Sequence, residues 1–238
     1  MSEVVLDTVE LPGARALFST RIGGVSEGPY ASLNLGILTD DDPERVGENR
    51  SRVAAAAGLE AERIAMGWQV HGTEIRQWEE PGPAYASPGE DLPRVDGHVT
   101  DRRDLGLLVL VADCFPVALA GDGRVAMLHC GWRGLAAGIV ARGVAAFEEP
   151  PAAAVGPGIG PCCYEVGDEV RAEFAHIEGS ASGRMLDLPA IVEYELREAG
   201  VDRIEQLDRC TSCREDLYYS HRRDNGVTGR QAGLVLRG

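Results

Sequence analysis

The 238-residue chain has a formal net charge of −15, and 44% of its residues are hydrophobic. This acidity excludes nucleic acid and an anionic membrane as main partners, because both require a basic protein face. All 23 basic residues are arginine, which excludes a lysine-dependent phosphate loop, a Schiff base and a lysine general base. An anionic small substrate stays compatible with the composition if arginines line its pocket.

The predicted elements begin with a strand at residues 14–20 and a loop at residues 23–36. A helix is predicted at residues 43–57, because the acidic run just before it suits a helix N-terminus. Residues 79–93 are predicted to form a loop, and residues 107–120 and 124–129 are apolar and β-prone. Helices at residues 135–147 and 189–199 and strands at residues 218–221 and 232–236 complete the prediction. The strands and helices lack regular alternation, so we expect one domain over residues 1–238 with an α/β (α+β) fold, a mixed α/β sandwich.

The chain shows no export or membrane signal. Residues 1–18 lack a basic segment followed by an apolar one, and the longest apolar run, residues 105–112, is too short to span a bilayer. We therefore expect a cytoplasmic protein whose six cysteines are thiols or metal ligands rather than disulfides.

A predicted β-hairpin brings candidate metal ligands together. If its turn centres near Asp122, Cys114 lies opposite a residue between 129 and 131, a window that holds both His129 and Cys130. Successive strand residues point to opposite faces, so at most one of the two shares a face with Cys114. A cysteine and a histidine on facing strands can bind one zinc ion at about 2.0–2.3 Å. His71, which precedes a glycine at a predicted strand end, is the best third ligand.

Three protein ligands would leave the fourth zinc position for water, which is the arrangement of catalytic zinc. The alternative is that Cys114 is a small core residue and that each histidine is a hydrogen-bonded polar group. Spacing alone leaves both interpretations open.

Other motifs point less clearly to chemistry. Ser26 lies in a Gly-x-Ser-x-Gly pattern, but proline and tyrosine follow at once and no helix begins there, which disfavours a nucleophile elbow. Cys210 and Cys213 have metal-knuckle spacing, and Cys162 and Cys163 could add sulfur ligands. Adjacent cysteines rarely both bind one ion, however, and the chain has no second Cys-x-x-Cys, so the role of these four residues stays open.

Several arginines are candidate anion ligands. Arg50 lies on the predicted helix, where an arginine is normally a solvated surface charge. Arg133 lies where a strand passes into a helix, a position that favours anions. Arg222, Arg223 and Arg230 are either a second anion clamp or an ordinary charged loop.

A series of motifs in order along nearly the whole chain carries a family resemblance. They are Thr20-Arg-Ile-Gly-Gly-Val-Ser26, Ser32-Leu-Asn-Leu-Gly36, Glu48-Asn-Arg50, Gln69-Val-His71-Gly, Ala112-Asp-Cys114-Phe-Pro, His129-Cys-Gly-Trp-Arg-Gly134, Gly156-Pro-Gly-Ile-Gly-Pro-Cys-Cys-Tyr164, Arg209-Cys-Thr-Ser-Cys213 and Ser220-His-Arg-Arg-Asp224 with Thr228-Gly-Arg230. The sequence resembles the bacterial YfiH/YlmD family, the laccase-domain or polyphenol oxidase proteins, regarded as purine nucleoside phosphorylases. The resemblance implies a layered α/β sandwich with central β-sheets.

The resemblance also implies site residues. It implies Zn²⁺ on His71, Cys114 and His129, which resolves the hairpin ambiguity in favour of His129, and it implies that Arg50 is in the active site. Cys130 departs from the alanine of relatives and should point away from the metal.

The implied activity is phosphorolysis of purine nucleosides such as adenosine, inosine and methylthioadenosine, with adenosine deamination as a companion activity. Arg50, Asp113 and Cys114 are then the candidate catalytic residues, with Asp113 moving protons. Arg50 is the first candidate for binding phosphate and Arg133 the second.

Three rival functions remain. Copper-dependent phenol oxidation is disfavoured, because a mononuclear and a trinuclear copper site together need more imidazoles than five histidines supply. A Cys114–His129 thiol hydrolase acting on cell-wall precursors is the second, and a zinc-stabilised binding module is the third. The expected partners are a purine nucleoside and phosphate, without nucleic acid, membrane or a partner protein.

Overall fold

Two β-sheets and the helices that cover their outer faces form the fold. The computed structural model describes residues 3–80, Tyr85 and residues 92–238; the loop predicted at residues 79–93 lies mostly outside these residues. The strands are β1 Leu6–Leu11, β2 Ala14–Ser19, β3 Ile64–Ala65, β4 Ile75–Gln77, β5 Gly97–Thr100, β6 Gly106–Val111, β7 Phe115–Gly121, β8 Arg124–Cys130, β9 Ala152–Val155, β10 Ala181–Ser182, β11 Met185–Leu186, β12 Ile204–Gln206 and β13 Gln231–Arg237.

The helices are mostly short. They are α1 Pro43–Ala57, α2 Trp132–Ala136, α3 Ile139–Val144, α4 Asp168–Glu173 and α5 Leu188–Glu198. Asp42 caps α1 by accepting a hydrogen bond from the Glu44 N–H, and Pro43 occupies the first turn, where its missing N–H costs nothing. None of the helices in the described part of the chain combines the length and the apolar character needed to cross a bilayer.

The strand order is β1-β2-β13-β6-β3 in a five-stranded sheet and β12-β9-β7-β8-β5-β4 in a six-stranded sheet, with β10 and β11 forming a separate pair. The inner faces of the two large sheets bury one apolar cluster, which includes Phe18, Val109 and Met127. A second cluster lies between the six-stranded sheet and the helices α2 to α5, and a third lies under α1. The resulting layers are helix, sheet, sheet and helix, which confirms the mixed α/β sandwich with central sheets.

The element predictions were mostly right, with three corrections. Residues 107–120 form two strands in different sheets, and residues 135–147 form two short helices separated at Gly138, whose φ of 85° no continuous helix allows. Residues 218–221 form no strand. They make side-chain and turn contacts instead, such as the hydrogen bond from the Tyr218 hydroxyl to the Asp7 carboxylate at 2.6 Å.

Candidate functional site

The chain passes from one sheet to the other at the centre of the site. Strand β6 of the five-stranded sheet ends at Val111, and β7 of the six-stranded sheet begins at Phe115. Between them Asp113 has a φ of 93°, a left-handed conformation that breaks the extended run. This break divides the apolar, β-prone run of residues 107–120 into two strands, and it leaves Asp113 and Cys114 between the two sheets.

The hairpin of β7 and β8 has the predicted turn, with Gly121 paired to Arg124. The register places Pro116 opposite His129 and Phe115 opposite Cys130. Because side chains alternate between faces, Cys114 shares its face with Pro116 and therefore with His129. Cys130 is fully buried in the apolar cluster on the helix side, so it points away from Cys114, as expected.

The loop that carries His71 is held by a single carboxylate. Asp96, just before β5, accepts hydrogen bonds from the backbone N–H groups of Val70, His71 and Gly72 at 2.8–3.0 Å. These bonds hold His71 in a left-handed conformation with a φ of 59°. Gln69 fixes the loop further through a pair of hydrogen bonds, at 2.7 and 2.8 Å, to the backbone of Leu110.

These segments bring His71, Cys114 and His129 together, with ligand atoms all within 4.8 Å of one another. The Cys114 Sγ and His71 Nε2 atoms are 3.9 Å apart, and the two imidazole centres are 4.8 Å apart in an edge-on arrangement. The Nδ1 atom of His129 bonds the Asp96 carboxylate at 2.8 Å, which leaves Nε2 for a metal. This arrangement fits zinc: one sulfur and two imidazole nitrogens can bind the ion, and a carboxylate hydrogen-bonds one of the two imidazoles.

Two of these side chains, His129 and Cys114, have shifted pKa values. Burial acts to lower the pKa of His129, but the Cys114 thiolate and the Asp96 carboxylate outweigh it and raise the pKa to about 9. Burial acts to raise the pKa of Cys114, but His129 and His71 outweigh it and lower the pKa to about 6. Without a metal, the site therefore holds a thiolate beside an imidazolium, and a cation can replace the imidazolium proton.

The sequence reasoning missed Asp96. Its side chain is fully buried, and although burial acts to raise its pKa, the hydrogen bonds from His129, Gly72 and Val70 hold the pKa below its usual value. A lone aspartate between apolar β-prone residues and a glycine was the available signal, because a buried carboxylate needs partners.

Replacing Asp96 with asparagine is expected to weaken zinc binding about 10- to 100-fold, because the amide cannot accept from His129 and all three N–H groups at once. Titration of metal-free protein with zinc against a competing chelator measures this change. The matched control is Asp104→Asn, which changes an exposed carboxylate paired with Arg63 and Arg102. Equal affinities in Asp96→Asn and wild type would contradict the role of this carboxylate.

Gly131 borders two of the ligands. Its φ of −87° and ψ of 163° suit any residue, yet an added Cβ would lie 2.9 Å from His71 Cδ2 and 3.0 Å from Cys114 Sγ. We expect Gly131→Ala to lower the zinc occupancy of the His71, Cys114 and His129 site strongly while the fold stays intact, because only the ligand side chains must move. Elemental analysis beside circular dichroism tests this, with Gly47→Ala as the control, since the space around Gly47 is open. Full zinc in Gly131→Ala would show that the ligands tolerate this displacement.

A cavity of about 480 Å³ opens above the three ligands, a volume typical of small-molecule sites. Aromatic and aliphatic side chains form much of its wall, among them Trp68, Trp132, Tyr164 and Leu38. Trp68 and Leu38 are 40% and 72% exposed, so apolar surface in the cavity is accessible to a planar ligand.

Three arginines line the same cavity: Arg133, Arg222 and Arg230. Arg133 stacks 4.3 Å from the Trp132 ring and Arg222 stacks 4.9 Å from the Tyr164 ring. Helix α2 has only five residues, so the anion preference expected at Arg133 rests on the guanidinium itself rather than on a helix dipole. Of the predicted clamp, Arg223 alone faces away from the cavity, bonding Asp224 at 2.8 Å.

Asp113 contributes the carboxylate of the cavity wall. Its two oxygens accept hydrogen bonds from the Thr211 hydroxyl and the Arg222 N–H, both at 2.7 Å. A carboxylate has about four lone-pair sites, so acceptor capacity remains for a ligand.

Arg50 is placed differently from the surface arginine expected on a helix. It is only 2% exposed, donates to the carbonyl oxygens of Leu35 and Tyr85 at 2.9 Å, and stacks 5.1 Å from the Tyr85 ring. Burial lowers its pKa to about 10, so it is charged at neutral pH. Arg50 is absent from the described cavity lining and lies behind the lining segment Gly36–Thr39.

The disfavoured nucleophile elbow has no counterpart in the fold. Ser26 is 5% exposed, and its hydroxyl donates to the Asp41 carboxylate at 2.6 Å and accepts from the Asn49 amide at 2.8 Å. Ser26 is thus a buried structural residue and is not among the residues that line the cavity.

Comparison with known proteins places this geometry in context. A family model described as multi-copper polyphenol oxidoreductase laccase matches residues 15–238. A Shigella flexneri protein named purine nucleoside phosphorylase YfiH is 37% identical and is covered over 99% of both chains. A Streptomyces coelicolor protein, also named a purine nucleoside phosphorylase, is 40% identical over 96% of this chain and 97% of its own.

Solved structures agree with the sequence relatives. The crystal structure of YlmD from Geobacillus stearothermophilus superposes with a TM-score of 0.89 at 36% identity, covering 95% of this chain and 93% of that one. A Bacillus licheniformis protein named YfiH superposes with a TM-score of 0.88 at 31% identity over 94% and 93% of the two chains. By sequence over nearly its full length, and by fold, the chain belongs to the laccase-domain family that includes YfiH and YlmD.

Proposed function

We propose that the protein is a zinc-dependent purine nucleoside phosphorylase that also deaminates adenosine. One observation carries the proposal: the same cavity is lined by the ligand set His71, Cys114 and His129, by arginines and by aromatic rings. The names of the relatives support the same reaction class. The proposed substrates are adenosine, inosine and methylthioadenosine, each with phosphate.

In phosphorolysis a phosphate oxygen bonds to C1′ of the ribose, and the bond between C1′ and N9 breaks with its electron pair going to the purine. A proton from hydrogen phosphate passes to the purine, so the products are the free base and ribose 1-phosphate, or methylthioribose 1-phosphate when the substrate is methylthioadenosine. We assign the phosphate to Arg133, with Arg222 and Arg230 beside it, because guanidinium groups bind phosphate oxygens through two donors at once. The rings of Trp68 and Tyr164 are assigned to the base, since aromatic faces stack on planar heterocycles.

Bound zinc would supply Lewis-acid polarisation and a lowered pKa for water. Asp113 is assigned the transfer of protons during deamination, because Thr211 and Arg222 hold its carboxylate at the cavity wall. For Arg50 we propose an indirect part in phosphate binding: through Leu35 it fixes the Gly36–Thr39 segment of the wall.

One rival rests on a specific observation, the low pKa of Cys114 beside two imidazoles, which also suits a thiol hydrolase. The described residues give no support to the hypothesis of copper-dependent phenol oxidation. Of the five histidines, His98 is fully buried and accepts from the Trp78 indole, and His176 packs against Tyr194.

The deciding experiment is a product screen of zinc-loaded and chelator-treated protein on nucleosides, with and without phosphate, and on cell-wall precursors. We expect ribose 1-phosphate and free purine only when zinc and phosphate are both present, and inosine from adenosine without phosphate. Activity that rises on metal removal would favour the thiol hydrolase. Absence of any product would favour a zinc-stabilised binding module, and several copper ions per chain would favour the oxidase.

A further inference from the structure

A second group of ligand atoms lies outside the cavity lining. The Sγ atoms of Cys162, Cys163, Cys210 and Cys213 are all within 4.8 Å of one another. The Cys213 sulfur lies 3.4 Å from the sulfur of Cys162 and 3.4 Å from that of Cys163. The four side chains carry free thiols, so no disulfide explains their convergence.

The spacing suits four ligands of one ion. Thiolates about 2.3 Å from a tetrahedral zinc lie about 3.8 Å from one another, whereas disulfide sulfurs are about 2.0 Å apart. Two of the observed separations are 3.4 Å and none exceeds 4.8 Å, limits that lie on either side of the tetrahedral value. We propose that these four cysteines bind a second, structural zinc ion, separate from the one assigned to His71, Cys114 and His129.

The local backbone removes the sequence-based objection to adjacent ligands. Cys162 and Cys163 lie in a tight turn in which the N–H groups of Cys163 and Tyr164 both donate to the Gly160 carbonyl, at 3.0 and 3.1 Å. Adjacent side chains point to opposite faces in a strand, but a tight turn lets both face one side. The turn therefore replaces the second Cys-x-x-Cys motif that the chain lacks.

The cluster also has donors that stabilise thiolate charge. The Gly160 N–H donates to Cys210 Sγ at 3.2 Å, and Gly158 and Cys210 form an isolated parallel bridge. Such hydrogen bonds to ligand sulfur are common around zinc–thiolate centres because metal binding requires the thiolate form.

The site has a consequence for the cavity. Thr211 lies between two of the four cysteines, and its hydroxyl bonds the Asp113 carboxylate at 2.7 Å while its N–H bonds the Gly158 carbonyl at 2.9 Å. Ile159 and Tyr164, on the other cysteine segment, line the cavity. A metal bound to both segments therefore fixes the orientation of Asp113 and of this wall.

Elemental analysis of protein purified under reducing conditions tests the proposal, together with Cys213→Ser, since Cys213 is exposed and its truncation costs little packing. We expect about two zinc ions per chain in wild type and about one each in Cys213→Ser and His71→Ala. The double variant should hold none. Cys213→His should retain the second ion, because imidazole also binds zinc, and Cys130→Ala, which lies outside both groups, should keep both.

Cobalt substitution gives an independent measurement on the wild-type chain. A four-thiolate cobalt centre has far stronger thiolate-to-metal absorption than a centre with one thiolate, and we expect the strong bands to vanish in Cys213→Ser while the weaker ones persist. About one zinc per chain in wild type, unchanged in Cys213→Ser, would overturn the proposal. So would iron at the cluster, or an intact mass lowered by two hydrogens that reduction restores, which would indicate a disulfide. Metal content is measured without any substrate, so these results do not depend on the proposed activity.

Discussion

Replacing Cys114 with alanine is expected to remove zinc from the His71, Cys114 and His129 site and to abolish phosphorolysis. Two imidazoles form an incomplete site, because catalytic zinc generally keeps three protein ligands. The loss of zinc affinity should be larger than the loss of about 10- to 100-fold expected when a residue that hydrogen-bonds a ligand is replaced. Zinc analysis beside the phosphorolysis rate measures both effects, and the four-cysteine zinc should remain bound.

Cys130→Ala is the matched control, since it removes a sulfur from the same hairpin. Cys130 faces the helix-side core and is fully buried, so we expect a loss of about 1–2 kcal/mol in the free energy of unfolding, with zinc and activity retained. Zinc that is lost in Cys130→Ala and kept in Cys114→Ala would refute both the strand register and the ligand assignment.

Replacing Arg50 with alanine is expected to lower the free energy of unfolding by about 3–5 kcal/mol, because two buried carbonyl groups lose charged donors and a large side chain is deleted. The sequence analysis placed Arg50 on a helix, where a solvated arginine rarely stabilises a protein, and the burial of Arg50 reverses that expectation. Phosphorolysis should fall with the displacement of the Gly36–Thr39 wall. Urea unfolding and phosphate kinetics, measured below the melting temperature, test both effects.

The control for Arg50 lies on the same helix. Arg45 pairs with the exposed Glu27 at 2.8 Å, and Arg45→Ala should change stability far less, because exposed ion pairs contribute little. A rise in the KM for phosphate in an Arg50→Ala variant whose free energy of unfolding is unchanged would assign phosphate contact to Arg50 itself. Unchanged unfolding would contradict its structural role.

Much of the fold could be predicted because its elements carry local signals. The helix α1 begins and ends as predicted, with a capping aspartate and a closing glycine, and the β7–β8 turn follows from its Gly-Asp-Gly sequence. The break at Asp113 was not predictable from periodicity, since strands on both sides are buried and apolar and read as one run. Only the change of sheet, a tertiary event, separates them.

The candidate site was predictable to a different degree at each residue. The predicted hairpin pairing left two neighbours, His129 and Cys130, as candidates for the ligand opposite Cys114. The family resemblance selected His129. Asp96 and the four-cysteine group depend on long-range contacts: Asp96 reaches backward to residues 70–72 and forward to 129, and the cysteine segments lie about fifty residues apart. Pairings of that kind leave no periodic trace in a single sequence.

The position of β13 bears on how the chain folds during synthesis. Residues 231–237 pair with β2 on one side and β6 on the other, and the Ala232 N–H bonds the Ser19 hydroxyl across 213 positions. Until those residues leave the ribosome, β2 and β6 each present an unpaired edge that can pair with other chains. Closing so long a loop is slow, so we expect nascent chains of this protein to need shielding from aggregation until residues 231–237 have left the ribosome and paired.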